Sequence, residues 1–291
     1  MDIKKYSLFA DVAETGNFTK SGDRMGYTQS GVSHILKSLE TEIGFSLFIR
    51  TKQGVKLTPN GELVLPLVRA LLNCNENLEQ TINDINGLET GQLAIATFSS
   101  ISIHWLPKII HQFQQIYPRI DIHLMEGGTD DIVGWVEDDI VDFGFLSKRH
   151  IKNLEWIPLC EDPLMAVVPT DYPMSSDDVF PITAFQDKNF IISATGTDYD
   201  VHHALRTSDV TPNILFSSKD DHAIISMIAN KLGISILPKL VLRNCEDQIL
   251  AIPLDPYHSR ELGIALKSRQ NMTPAAIKFA ELTKKMLTSL I

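Results

Sequence analysis

Cysteine is scarce and poorly placed for pairing. Cys74, Cys160 and Cys245 are scattered over 291 residues with no CxxC spacing. An odd, dispersed set excludes a disulfide framework and a cysteine-based zinc site, and it fits a reducing compartment. No apolar run approaches the roughly 20 residues of a membrane span. Lys4 and Lys5 lead into Asp11, Glu14 and Asn17 rather than into an apolar stretch, so a cytoplasmic location is expected and a membrane partner is not. HExxH, GxSxG, Walker A and GxGxxG patterns are absent, and no enzymatic role or cofactor is expected. His202 and His203 are adjacent, so they do not share a helix face, and His104 and His111 have no third ligand in register. No metal site is therefore expected. Positive charge is also short: the formal net charge is -10, which argues against attraction of the whole chain to nucleic acid. Residues 1–58 depart from that average, with eight Lys/Arg against six acids, a balance of +2 that leaves -12 for the rest.

The N-terminal segment has short helical periods punctuated by glycine. Apolar Ile3, Tyr6, Phe9, Val12 and Ala13 precede Gly16, and a second helix is expected over Thr19–Met25 with Thr19 as its cap. Thr28 then caps a third helix that runs to about Ile43 and stops at Gly44. Two short helices around a tight glycine turn form a helix-turn-helix pattern, and the segment around Gly54, between Phe48 and Leu57, reads as a two-stranded wing. With Val32, Ile35, Leu36 and Leu39 turned inward, Gln29, Ser30, Ser33, His34 and Lys37 face out. Gln, Ser and His suit base edges, and Lys37, Arg50 and Lys52 suit phosphates.

The stretches "LFADVAETGNFTKSG", "YTQSGVSHILKSLETEIGFSLFIRT" and "GVKLTPNGE" resemble the DNA-binding domain of LysR-type transcriptional regulators in order and spacing. The resemblance implies base reading by Gln29, Ser30, Ser33 and His34, and phosphate contacts near Lys37, Arg50, Thr51 and Thr58. Ser21-Gly22 stands where the family usually has two alanines and Gly31 where alanine is common. Glycine costs ~1 kcal/mol in a helix relative to alanine, so a less rigid module is expected. His34 occupies a position that is usually arginine, which leaves the base read there open.

From Thr58-Pro59 a long helix is expected. Leu67, Leu71, Cys74, Leu78, Thr81 and Ile85 alternate in steps of four and three, an a/d seam suited to a helix–helix dimer. Pro66 should kink or interrupt it, and Gly87 to Gly91 reads as a hinge. Beyond it, "LAIATF", a helix over Ile101–Tyr117, "IDIHLM", a helix through "DDIVGWVEDD" and "VDFGFL" make a β-α-β-α-β unit with a parallel sheet. A second such set follows. "WLPKIIHQFQQIYPRIDIHLMEGG", "LCEDPLMAVVP" and "IANKLGISILP" resemble the LysR-type effector-binding domain, itself similar to periplasmic solute-binding proteins.

The expected architecture is thus a winged helix-turn-helix (1–58), a linker and dimerisation helix with hinge (59–90), and a two-lobed α/β effector domain (91–291). Its first lobe takes about 91–161 plus 267–291 and its second about 162–266, by analogy with the family. Ligands bind where strands end and helices begin, which selects Ser99, Ser100, Ile101, Thr129, Phe145, Thr195, Gly196, Thr197 and Ser218. Ser99, Thr129 and Ser218 serve equally well as N-caps. No arginine is evident at those points, so a small polar effector is expected, a carboxylate being the favoured class, with its apolar part against Phe145. The implied function is effector-modulated binding of promoter DNA by a bacterial homo-oligomer, a dimer or the tetramer common in the family, with RNA polymerase as a further partner. The competing readings are a two-lobed enzyme or a solute-binding module, each with an N-terminal protein-interaction domain.

Overall fold

The computed structural model describes residues 2–51, 54–87, 89–148, 153–173, 179–194 and 199–290, the side chains of residues 50, 51, 289 and 290 excepted. Helix α1 (Ile3–Thr15) is capped by Asp2. Helix α2 (Phe18–Met25) begins earlier than the sequence suggests, because the Asn17 side chain accepts the Thr19 and Lys20 N–H groups and takes the capping role expected of Thr19. Helix α3 (Gln29–Ile43) is capped by Thr28 and ends at Gly44 in the left-handed region, φ 87°. Strands β1 (Phe48–Thr51) and β2 (Gly54–Leu57) pair antiparallel as the wing. Gly22 is a fit rather than a weakness. The Tyr27 N–H reaches its carbonyl at 2.8 Å, and a Cβ there would stand 2.5 Å from the Tyr27 oxygen. The turn between α2 and α3 closes this tightly only over glycine.

Helix α4 (Pro59–Ile85) runs 27 residues, about 40 Å at 1.5 Å per residue, and continues through Pro66 without the expected interruption. Its start packs on the N-terminal core through Leu65 and Val68. Farther along, its polar side rests on the effector domain. Arg69 pairs with Asp138 at 3.3 Å, Gln80 donates to the Gln92 carbonyl at 2.8 Å, and Lys278 reaches Asp84 at 2.9 Å. The leucine seam faces the other way: Leu67, Leu78 and Ile85 are 71, 58 and 81% exposed. A helix that turns its polar side to its own domain and its apolar side outward has the reverse of ordinary surface amphipathicity.

The effector domain places strands β3 (Gly91–Thr97), β4 (Ile120–Glu126), β5 (Phe143–Ser147), β6 (Glu155–Pro169), β7 (Phe180–Pro181), β8 (Asn189–Ser193), β9 (Asn213–Ser218), β10 (Ser235–Pro238), β11 (Ile249–Asp255) and β12 (Ser259–Leu266) among helices α5 (Ser99–His104), α6 (Leu106–Ile116), α7 (Thr129–Glu137), α8 (Tyr199–Thr207), α9 (Asp221–Ala229) and α10 (Pro274–Leu290). Among the described residues, one sheet runs in the order β4-β3-β5-β12-β6-β11-β7, with β10 also on β6, and β8 pairs β9. The β3, β4 and β5 strands are parallel, as the alternating pattern requires. The helix expected over Ile101–Tyr117 is two helices, broken at Trp105. Pro107 has no N–H to offer the turn before it.

Strand β6 is the hinge of the two lobes. Its first part pairs with β12 from Pro163 back to Glu155, and its last part pairs with β10 and β11. Because β12 also bonds to β5 from Leu262 onward and buries Leu262, Ile264 and Leu266 in the first-lobe core, the chain is back in the first lobe by Leu262. The return expected at Leu266–Lys267 therefore falls within β12 in the structure, since the first-lobe pairing with β5 already begins at Leu262.

Asp142, just before β5, sits beneath the linker. It accepts the Ala94 N–H at 2.8 Å and the Thr273 hydroxyl at 3.2 Å, yet burial pushes its carboxyl up to about 6. A folded-state carboxyl raised above its ordinary 3.8 holds its proton longer than the unfolded chain does. The contribution of Asp142 to stability is therefore full below about pH 4 and is lost as pH rises through about 6. Asp142→Asn is expected to remove this loss. In thermal melts its advantage over the wild type should grow from pH 4 to pH 7, to at most about 3 kcal/mol. A constant gap across that range would show that Asp142 ionises freely.

Candidate functional sites: a polar helix face and an inter-lobe cleft

Helix α3 is held firmly from behind. Val32, Leu36 and Leu39 are at most 2% exposed, and Lys5 ties α1 to it through Ser38 and Glu42 at 3.1 and 3.0 Å. Glu40 accepts the Leu47 and Phe48 N–H groups at 2.7 and 3.2 Å, which fixes the wing to the same helix. On its outer side Gln29, Ser30, His34 and Lys37 are exposed and Ser33 is half-buried. The five polar residues singled out in the sequence thus share one rigid surface. Not every N-terminal cation is available to a ligand: Arg24 is paired with Asp11 and Glu14. Lys37 and, on β2, Lys56 are exposed and carry no ion pair among the described residues. Arg50 and Thr51 fall on β1, but their side chains, and the whole of Lys52, lie outside the described residues. Thr58 is occupied structurally. Its hydroxyl donates to the Ser46 carbonyl at 2.8 Å and accepts the Gly61 N–H at 2.9 Å, so the proton that a phosphate would need is already engaged.

The second site lies between the lobes. Ser99, Ser100 and Thr129 line a cleft of about 60 Å³ together with Phe98, Ser147, Ser193, Asp200, Lys219, Asp221 and Arg260. An adjoining space of about 220 Å³ shares Ser99, Ser100, Lys219 and Asp221 with it and adds His104, Glu126 and His222. Ser99 and Thr129 are the first residues of their helices and not caps, since Phe98 and Gly128 precede them. Two expected cleft residues lie elsewhere. Ile101 and Phe145 are fully buried in the first-lobe core, because the side chains at those strand and helix ends point into the sheet packing rather than outward. Phe98 presents the aromatic surface expected of Phe145. Ser218 accepts the Asp220 N–H at 3.1 Å and shapes the start of α9 instead of lining the cleft. Thr195, Gly196 and Thr197 lie outside the described residues.

The arginine missing from the sequence reading is Arg260. Its Nη2 donates to the Ser100 hydroxyl at 3.1 Å, its Nε and Nη2 reach Asp162 at 2.9 and 2.8 Å, and its guanidinium lies 5.1 Å over the Phe98 ring. Asp162 in turn accepts the Leu240 N–H at 2.9 Å. Ser100, Arg260, Asp162 and Leu240 therefore form one polar chain from the first lobe to the second. Arg260 and Asp162 are cross-strand partners, and two opposite charges inside apolar strands were the available signal. Nearby, burial raises the Asp221 carboxyl, with Arg260 opposing, and burial lowers the His104 imidazole, with Arg243 and His222 adding to it. The Asp221 carboxylate makes no hydrogen bond or ion pair among the described residues, and the buried Ser147 hydroxyl has no partner among them. The cleft thus offers cations, an unengaged acceptor and an unengaged hydroxyl within one small space.

Comparison with known proteins matches residues 3–62 to the bacterial regulatory helix-turn-helix proteins of the lysR family and residues 86–288 to the LysR substrate binding domain. The chain is 30% identical to the uncharacterized HTH-type transcriptional regulator YvbU of Bacillus subtilis (strain 168), covering 98% of this chain and 99% of that one. Its fold is similar to a full-length OxyR variant from Pseudomonas aeruginosa, with a TM-score of 0.77, 20% identity, and coverage of 99% of this chain and 94% of the other. It is also similar to the regulatory domain of CcmR from Synechocystis PCC6803, solved in complex with 2-PG, with a TM-score of 0.63, 20% identity, and coverage of 67% and 97%.

Proposed function

Because this chain belongs to the LysR family of bacterial transcriptional regulators, we propose that α3 reads promoter DNA through Gln29, Ser30, Ser33 and His34 while Lys37, Arg50, Thr51 and Lys52 meet phosphates. The protein is a DNA-binding regulator with an effector-binding domain. The observation that carries the finer reading is the exposed polar side of a helix whose opposite side is fully buried. Direct base contacts discriminate between sequences, whereas phosphate contacts do not. Gln29→Ala is therefore expected to cost roughly 1–3 kcal/mol on a selected genomic site and little on random DNA. Lys37→Ala should weaken both alike and lower the salt slope by about one. Gel shifts with promoter fragments at several salt concentrations check both, and equal losses for Gln29→Ala on the two DNAs would remove α3 from base reading.

The exposed seam of α4 supports self-association into a dimer or a higher, tetrameric assembly, which then meets RNA polymerase at the promoter. No helix among the described residues is long and apolar enough to cross a membrane, and a cytoplasmic site of action follows from the DNA target. The effector is a small polar molecule. Lys219, Arg260 and Ser100 favour an acidic group on it, a carboxylate being the simplest, and Asp221 favours a donor. That the CcmR regulatory domain takes 2-PG is consistent with a small ligand. Ser100→Ala with Thr129→Ala should abolish the metabolite-induced rise in melting temperature and leave ligand-free DNA binding near normal. A metabolite that stabilises wild type and variant equally would place the effector elsewhere.

A further inference from the structure

The cleft and the space beside it hold more negative charge than a purely acidic ligand suits. Among the described lining residues, Glu126, Asp200, Asp220 and Asp221 stand against two cations, Lys219 and Arg260. Arg260 is already matched by Asp162 at 2.8 Å, which leaves Lys219 to offset four carboxylates. A ligand with a carboxylate alone adds a fifth like charge to a partly desolvated space, where repulsion is stronger than in water. Asp221 sharpens the mismatch. It is the half-buried first residue of α9, and its carboxylate has no hydrogen bond among the described residues. Capping does not account for it, because Asp220 accepts the His222 N–H at 2.9 Å and fills that role. Burial pushes the Asp221 carboxyl up, and Arg260 opposes this without direct contact. A carboxylate drawn out of water without a partner calls for a cation.

Placement determines where that cation sits. Ser99, Ser100, Lys219 and Asp221 line both spaces and so border the passage between them. Arg260 lines only the smaller one, of about 60 Å³, which has room for little beyond a carboxylate. A positive group on the carbon next to that carboxylate reaches the passage, where Asp221 stands. The rest of the ligand enters the 220 Å³ space, between Ile103 and Val241 on its apolar side and His104 and Glu126 on its polar side. We infer, on the reading of the cleft as the effector site, that the effector is an α-amino acid, with its carboxylate toward Arg260 and Lys219, its ammonium on Asp221 and its side chain in the larger space. The ammonium cancels the charge that the carboxylate brings, so the cleft closes on a ligand with no net charge at its backbone.

The test is a thermal-shift screen of the full chain against the common L-α-amino acids. For each hit, the matching α-hydroxy acid and the matching amine without its carboxylate serve as counterparts. At least one amino acid should raise the melting temperature. In calorimetric titration it should bind at least about tenfold more tightly than either counterpart, since a site built for a polar group rejects the analogue that lacks it. Asp221→Asn should erase most of the preference for the amino acid over the hydroxy acid. Glu246→Gln, which changes an exposed carboxylate outside the cleft, should keep the wild-type ratio. If no amino acid stabilises the wild type, or if amino acid and hydroxy acid bind it equally, the assignment is overturned whether or not Asp221→Asn folds. An undiminished preference in folded Asp221→Asn overturns it too. Carboxylates lacking an amine that stabilise the wild type but not Ser100→Ala with Thr129→Ala would leave the cleft as the effector site and strike only the amino-acid assignment. An amino acid that stabilises both of those proteins equally lies outside the cleft and strikes both.

Discussion

Leu67→Glu combined with Leu78→Glu is expected to leave monomers in sedimentation and to abolish binding to a two-half-site operator. The two leucines lie on one exposed stripe of α4, 71 and 58% accessible, eleven residues apart and hence on the same helix face. In the single chain the glutamates stay hydrated, so the circular dichroism spectrum should not change. In the dimer they enter an apolar seam without partners, which costs several kcal/mol. Since each 1.4 kcal/mol is tenfold, a loss of about 4 kcal/mol weakens the dimer roughly a thousandfold. A monomer presents one α3 to DNA and loses the second half-site, so operator affinity falls by more than any single base contact could account for. Leu65→Glu serves as the contrast. Leu65 is buried in the N-terminal core, and its replacement should unfold that module rather than merely separate subunits. Wild-type dimer affinity in the Leu67/Leu78 variant would show that the stripe is covered by something other than its twin.

The N-terminal module was largely legible in the sequence because its signals are local. Thr28 and Gly44 bound α3, and Val32, Leu36 and Leu39 recur at helical spacing. The strands β3, β4 and β5 were legible for a similar reason, since helix and strand periods alternate there. What failed depended on contacts distant in sequence or on side-chain direction. The rule that ligands gather at strand ends found the cleft through Ser99, Ser100 and Thr129. It could not say that Ile101 and Phe145 turn into the core. The lobe assignment of β12 depends on its pairing with β5, more than a hundred residues away, and no local pattern encodes that. Gly22 looked like lost helix propensity, because propensity tables carry no information on the Tyr27 carbonyl beside it. Pro66 looked like a helix breaker, yet α4 runs on through it, with the N-terminal core packed on Leu65 and Val68 at either side. Arg260 was hidden because attention to parallel strand ends passes over an antiparallel strand at the hinge.

Arg260→Met is expected to be among the most destabilising single substitutions in the effector domain. Both members of the pair are buried, with side chains 9 and 6% exposed. Removing the guanidinium strands the Asp162 carboxylate, which keeps only the Leu240 N–H, and breaking a buried pair from one side costs about 3–5 kcal/mol. The same change also removes the donor that Ser100 accepts and the cation over Phe98. Asp162→Asn in the same chain should recover much of the loss, because a neutral amide still accepts the Leu240 N–H without an uncompensated charge. Urea unfolding of the wild type, both single variants and the double variant forms the required cycle. A double variant no more stable than Arg260→Met alone would mean that packing of the guanidinium, not its charge, is what Arg260 supplies. The effector response gives an independent measurement. The chain from Ser100 through Arg260 and Asp162 to Leu240 joins the lobes, and the acidic effector proposed for the cleft would compete with Asp162 for the guanidinium. A ligand shifts a two-state protein only by its difference in affinity for the two arrangements. The double variant should therefore bind promoter DNA normally, refold fully, and show no change in DNA binding at effector concentrations that saturate the wild type.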